Sequence, residues 1–268
     1  MSVITTQDLQ NLKKKNEKIA VVTAYDASFT QHIEEAGVEV LLVGDSLGMV
    51  LQGHDSTIPV TVDDMVYHTT MVARARQKAL LIADLPYHSY MSKQQALDNA
   101  TRLMNEANAD MVKIEGGGEM VAIAEYLIKH GIAVCGHLGL LPQSVIELGG
   151  YKVQGREQTA AEVMLQDAKA LASVGVEMIV LECIPQKLAK QISSDVDVIT
   201  IGIGAGQDVS GQVLVLYDLL GITPGKRPKF TKDFLIELGT GKSITDAIRA
   251  YVDAVKKLRF PSQEHSFN

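Results

Sequence analysis

Cysteine is scarce in this sequence, and so is positive charge. Only Cys135 and Cys183 occur in 268 residues, far apart and in neither a metal-binding nor a redox spacing. That excludes a disulfide framework and suits two reduced thiols in a cytoplasmic protein. Lys and Arg number 25 against 32 Asp and Glu, a net charge of −7 with a sequence pI near 5.5. Nucleic-acid phosphates demand a basic face, so no nucleic-acid partner is expected. No apolar run reaches bilayer-spanning length, and the opening MSVITTQDLQNLKKKNEKIA has neither an apolar h-region nor a small-residue cleavage site. The expectation is a soluble, unexported protein with no membrane partner. Internal repeats, low-complexity tracts and linkers are lacking too, so residues 1–268 read as a single domain.

What the chain does have is a hydrophobic content of 46%, enough at this length for a full core without disulfides. Short apolar runs rich in β-branched residues recur at 19–26, 40–46, 79–86, 111–117, 132–142, 178–185, 198–206 and 213–221. Between them lie stretches of helical periodicity, with Ser92 and Thr159 as candidate N-caps and Gly131 and Gly175 as candidate stops. Strands without polar alternation, separated by helices, are the mark of a parallel sheet buried on both faces. Eight of them point to an α/β fold, a closed (β/α)8 TIM barrel with its core at about 19–221, with an open doubly wound sheet as the rival. The connection QDVSGQ before the last run is too short for an ordinary crossover and predicts a truncated helix. Residues 5–18 predict an extra helix over the barrel's bottom. Two further helices are expected at about 231–258, then a polar, frayed tail, PSQEHSFN.

Four of these runs stop at an acid: Asp45, Asp84, Glu115 and Glu182. In a barrel the C-terminal strand ends converge on one mouth, so residues distant in sequence become neighbours there. Acids gathered in one place raise one another's pKa unless a cation relieves them, and hard oxygen donors with no His or Cys cluster suit Mg²⁺ before Zn²⁺. For any single one, a helix N-cap or an Asx-turn is the plainer reading. Lys113, inside MVKIEGG, is either a lysine reaching to the rim or a cation aimed at a substrate carboxylate. Ser46 is a turn residue or a hydroxyl donor to a bound anion. His137 is a core residue or part of the mouth, and TIGIGAG is a phosphate cradle or a place of close backbone packing. Cys183, with no adjacent histidine, reads as a small buried side chain rather than a nucleophile.

Six blocks, GDSLGMVLQGHDSTIPVTVDDMVYHTTMVAR, ADLPYHSY, VKIEGG, GHLGLLPQ, LECIP and IGIGAG, resemble the ketopantoate hydroxymethyltransferase family in order and separation, from about residue 5 to residue 260. Val209 and Ser210 depart from the more acidic or Cys-containing stretch expected there, at no position tied to catalysis. The resemblance implies a barrel of the phosphoenolpyruvate/pyruvate superfamily type, Mg²⁺, and 5,10-methylenetetrahydrofolate as one-carbon donor to 3-methyl-2-oxobutanoate in pantothenate and coenzyme A biosynthesis. It implies Asp45, Asp84 and Glu115 at the metal, Glu115 acting through water. Asp45, Ser46, Asp84 and Lys113 then fall at the substrate and Glu182 is the catalytic base. It also implies a homo-oligomer, often a decamer. Arg156, Lys152 and Lys226 are candidates for the folate's anionic tail. The competing readings are a Mg²⁺-dependent carbon–carbon lyase or mutase on another 2-oxo acid, and a non-catalytic barrel that binds a metabolite or a partner.

Overall fold

The computed structural model describes residues 2–145, 149–150, 152–225 and 227–268. Among them eight parallel strands close into a barrel in sequence order: β1 Ile19–Thr23, β2 Val40–Val43, β3 Leu80–Asp84, β4 Met111–Glu115, β5 Val134–Gly139, β6 Met178–Glu182, β7 Ile199–Ile203 and β8 Gly211–Leu214. Helices α1 Thr6–Lys14 and α2 Ala27–Glu35 flank β1, and α3 Leu47–Val50 and α4 Val62–Ala75 follow β2. Next come α5 Lys93–Asn105, α6 Met120–Lys129, α7 Gln158–Ser173 and α8 Gln186–Asp195, each behind its strand. The chain ends with α9 Leu216–Leu219, α10 Phe234–Leu238 and α11 Ile244–Lys256. The open-sheet rival is excluded by the pairing of β1 with β8.

The two-residue period of each strand explains the unbroken apolar runs. Ile19, Val21, Val40, Leu42, Leu80, Ile82, Met111, Cys135, Met178, Val180, Ile199, Ile201 and Val213 pack together inside the barrel. Their alternate neighbours, such as Ala20, Val22, Leu41, Leu81, Val112 and Ile179, pack outward against the helices. As expected, α1 closes the bottom: Leu9, fully buried, joins the interior cluster, and Lys13 Nζ donates to the carbonyls of Val196 (3.2 Å) and Val198 (2.8 Å).

Helix ends follow the sequence cues in part. Ser92 caps α5 through the backbone N–H of Gln95, and Gly131 and Gly175 sit at positive φ just past α6 and α7. Thr159 is not a cap, because α7 begins one residue earlier and Glu157 occupies the cap position.

Three expectations need correction. No helix of any length joins β7 to β8; the seven residues 204–210 do. They suffice because β8 starts high: Gly211 pairs with Ile201, so the chain descends only about two residues, roughly 7 Å at 3.3 Å per residue, before re-entering the sheet. Ser210 then braces the short loop, exchanging hydrogen bonds with Thr200 through N–H and hydroxyl on both sides. The eighth strand covers 211–214 rather than 213–221. Leu216, Leu219 and Leu220 are buried at helical spacing in and after α9, whose Leu216 N–H donates to Thr23 Oγ1 at 2.9 Å. The tail, finally, is docked. Phe260 packs edge-on against Phe234 and Tyr251, Phe267 bridges to Pro185, and Gln186 N–H donates to the Phe267 carbonyl at 2.9 Å. Buried aromatics outweigh the polar residues that suggested fraying.

Candidate active site

Strand parity decides what lines the upper end of the barrel. Leu80 and Ile82 face inward, so Asp84 does; Met111 faces inward, so Lys113 and Glu115 do; Cys135 leads to His137, and Met178 and Val180 lead to Glu182. Register sets Asp84 beside Lys113 and Glu115 beside His137. Asp45 lies just past β2, where Gly44 permits the close turn, since a Cβ there would stand 2.7 Å from Ser46 Oγ. Gly139 is required more strictly: it has φ +101, and a Cβ would sit 2.1 Å from the Glu182 carbonyl oxygen.

The predicted groups converge. Asp45 N–H donates to Asp84 Oδ2 at 3.1 Å, and Lys113 Nζ lies 3.2 Å from Asp84 Oδ1 and 3.8 Å from Glu115 Oε1. His137 bridges the remaining gap, with Nδ1 3.4 Å from Glu115 Oε1 and Nε2 3.2 Å from Glu182 Oε2. Ser46 Oγ is 2.9 Å from the Tyr25 hydroxyl and makes no helix-capping bond. Neither Asp45 nor Asp84 serves as a helix cap, because Asp45 Oδ2 accepts from Gln143 Nε2 at 2.7 Å and Asp84 Oδ2 accepts from Asp45. Glu182 is the most accessible of the ionic cluster, with 13% of its side chain exposed against 3–5% for Asp84, Lys113, Glu115 and His137.

Burial and crowding dominate the electrostatics. Asp45 is pushed far above the usual carboxylate range by burial and then by Asp84 and Glu115, and burial raises Asp84 despite Lys113 beside it. Burial alone would discharge Lys113, but Asp84, Glu115 and Asp45 outweigh it and hold the ammonium charged. Glu115 stays ionised against burial because His137, Lys113 and the Gln143 N–H stabilise its charge. Burial and Lys113 pull His137 down, yet Glu115 and Glu182 raise it to about 9. Four carboxylates, Asp45, Asp84, Glu115 and Glu182, thus gather round one ammonium and one imidazole, more acid than those two groups can neutralise.

That surplus is the test for a dication. Among the described residues no three His, Cys, Asp or Glu side chains form a ready metal-binding cluster. Asp84 Oδ1 and Glu115 Oε1 are nevertheless buried without an aligned hydrogen bond, and Mg²⁺ characteristically takes one or two carboxylates and completes its shell with water and substrate. The donors fit such an ion at Asp45 and Asp84. Glu115, engaged by Lys113, His137 and Gln143, is turned to its neighbours.

Other candidates resolve differently. The faces of Gly204 and Gly206 are filled by Phe230, Phe267 and Gln186, so close packing accounts for TIGIGAG. Cys183 is buried, with its thiol pushed up by burial and Glu182. Arg156 is exposed in a cleft of about 490 Å³ shared with Lys187, Gln191 and Asn268, beside the turn after β6. Lys152 is exposed, and Lys226 falls outside the described residues. Two polar residues of the site, Gln143 and Tyr90, were missed. Their signal was a glutamine and a tyrosine within GHLGLLPQ and ADLPYHSY, where amide and phenol look ordinary until burial shows that each must find partners.

The fold is a closed (β/α)8 barrel that resembles those of solved lyases and hydrolases. A 2,3-dimethylmalate lyase described as a member of the phosphoenolpyruvate mutase/isocitrate lyase superfamily aligns with a TM-score of 0.59 over 97% of this chain and 89% of its own, at 16% identity. An oxaloacetate acetylhydrolase aligns with a TM-score of 0.63 over 95% and 93%, at 12% identity. Sequence is more specific. A profile of the family Ketopantoate hydroxymethyltransferase matches residues 3–263. The 3-methyl-2-oxobutanoate hydroxymethyltransferase 2 of Hahella chejuensis is 54% identical over 265 residues, 99% of either chain, and the 3-methyl-2-oxobutanoate hydroxymethyltransferase of Nitrosococcus oceani is 52% identical over 267 residues, 100% of either chain to the nearest per cent. The chain belongs to the ketopantoate hydroxymethyltransferase family.

Proposed function

We propose that this enzyme transfers a hydroxymethyl group from 5,10-methylenetetrahydrofolate to 3-methyl-2-oxobutanoate, forming 2-dehydropantoate for pantothenate and coenzyme A synthesis. The observation that carries the reading is the inner upper layer itself: a buried ammonium, a pair of crowded aspartates and a more exposed glutamate converge within the barrel of a family member. Asp45 and Asp84 would hold Mg²⁺, with Glu115 reaching it through water. When bound, the ion supplies Lewis acidity that stabilises negative charge developing on the ketone oxygen.

The chain's own groups do the rest. Lys113 neutralises the substrate carboxylate and Ser46 donates a hydrogen bond to it, which fixes the face presented to the donor. Glu182 takes the proton from the carbon beside the ketone. His137, set between Glu115 and Glu182 with its Nδ1 3.3 Å from Lys113 Nζ, holds that carboxylate in place. Its contact with Glu182 is short but not aligned, as catalytic hydrogen bonds often are before substrate binds. The carbon nucleophile so formed bonds to the folate's methylene carbon; both C–N bonds of that carbon break, water supplies its hydroxyl, and tetrahydrofolate leaves with its two nitrogens protonated by the proton taken from the substrate and the one from water.

Incubation with the oxo acid, methylenetetrahydrofolate and Mg²⁺ should yield 2-dehydropantoate, and a chelator should stop it. A folded protein that makes no product under those conditions overturns the reading. Residues 1–268 acting as one domain, assembled as a homodecamer in the cytoplasm, complete it. Light scattering on the eluted protein checks the subunit count, and a monomer sinks that part.

A further inference from the structure

Gln143 sits on the short turn after β5, only 4% exposed, and its bonds reach the loops after β2 and β3 and the last residue of β4. The Tyr90 hydroxyl accepts from Glu115 N–H at 3.3 Å, which leaves its own hydrogen for Gln143 Oε1 at 2.5 Å. With that oxygen engaged, both hydrogens of Nε2 are directed elsewhere, one to Asp45 Oδ2 at 2.7 Å and one to the Leu85 carbonyl at 3.0 Å. The backbone N–H of Gln143 closes the circuit on Glu115 Oε2 at 3.0 Å. A flipped amide would face a carboxylate and a carbonyl with its oxygen, so only one orientation is satisfied. One residue thereby holds one oxygen of Asp45 and one of Glu115, leaving the other oxygen of each carboxylate outside its grip; Glu115 Oε1, without an aligned hydrogen bond, faces Lys113 Nζ at 3.8 Å and His137 Nδ1 at 3.4 Å.

We propose that Gln143 is the positioning residue of the dication site: through its amide and its backbone N–H it sets which carboxylate oxygens of Asp45 and Glu115 a divalent cation or its water can reach. This rests on the metal reading above. Groups that orient metal ligands from behind are worth about 10–100-fold in metal affinity. Shape alone cannot replace the amide. Leucine fills the space but leaves Asp45 Oδ2 and the Leu85 carbonyl without a donor, and glutamate turns the donor into an acceptor.

The test is a Mn²⁺ titration of the full chain without substrate, read by electron paramagnetic resonance, with thermal midpoints of the metal-free proteins measured alongside. Asp45→Asn should abolish binding. Gln143→Leu should weaken it about 10–100-fold, and Gln143→Glu should not rescue it. Tyr90→Phe, which frees the amide to turn, should cost several-fold in Mn²⁺ affinity in a protein that still folds, with a metal-free midpoint lowered by the loss of the hydroxyl's two buried bonds. Wild-type Mn²⁺ affinity in folded Gln143→Leu, with binding lost in Asp45→Asn, overturns the role of Gln143 and leaves the metal reading standing. Wild-type affinity in Asp45→Asn, or no binding by the wild type, overturns both. If Gln143→Leu fails to fold, Tyr90→Phe decides: unchanged affinity overturns the proposal and a several-fold loss supports it.

Discussion

The lower and upper halves of the barrel interior are built on the same strands and the same parity, yet they are different materials. Below, Ile19, Val40, Leu80, Met111, Cys135, Met178 and Ile199 meet Leu9 in an apolar plug. One or two inward steps higher, the same strands carry Asp84, Lys113, Glu115, His137 and Glu182, all but Glu182 almost fully buried. The lower layer is stabilised by burial, while the upper layer is a set of charges held in low dielectric that only their mutual pairing makes tolerable. Stability and chemistry are thus separated along the strand axis, a few ångströms apart.

The sharpest way to break that separation is Lys113→Met. It removes the ammonium from Asp84 and Glu115, leaving buried carboxylates uncompensated, so activity should vanish and urea unfolding should show a loss of about 3–5 kcal/mol. A variant as stable as the wild type would mean that the charges are not paired as described. Glu182→Gln tests the upper layer alone. Being partly exposed and near-isosteric, it should fold normally while kcat drops by about 10²–10⁴ with little change in KM, which steady-state kinetics decides. Leu9→Ala probes the lower layer: about 2–5 kcal/mol of stability should go, with kcat at permissive temperature unchanged. Should Leu9→Ala slow turnover as much as it lowers stability, the two layers are coupled and the comparison fails.

Much of the site was legible before any coordinates. Asp45, Asp84, Glu115 and Glu182 each end an apolar run, and Lys113 breaks one, because a strand buried on both faces tolerates a charge only near its open end. The bottom cap was legible for a similar reason: Thr5–Asp8 forms a capping box ahead of a helix whose Leu9 seeks an apolar partner. Thr159 and the run 213–221 were misread because local propensity cannot tell an N-cap from the first turn, or a strand from a short buried helix. The docked tail was hidden because its polar letters outnumber Phe260 and Phe267, whose pockets are made by residues far away.

On its own, the chain's order of letters determined that eight apolar strands must alternate with helices, that they would be covered on both faces, and that acids and a lysine would gather at their ends. These follow from period and burial, which are local properties. Only the tertiary structure decided that His137 would stand between Glu115 and Glu182, that seven residues would carry β7 to β8, and that Gln143 would tie the loops after β2 and β3 to the end of β4. Those outcomes depend on barrel shear and on which distant backbone groups are left needing a partner, and neither is written in any local stretch.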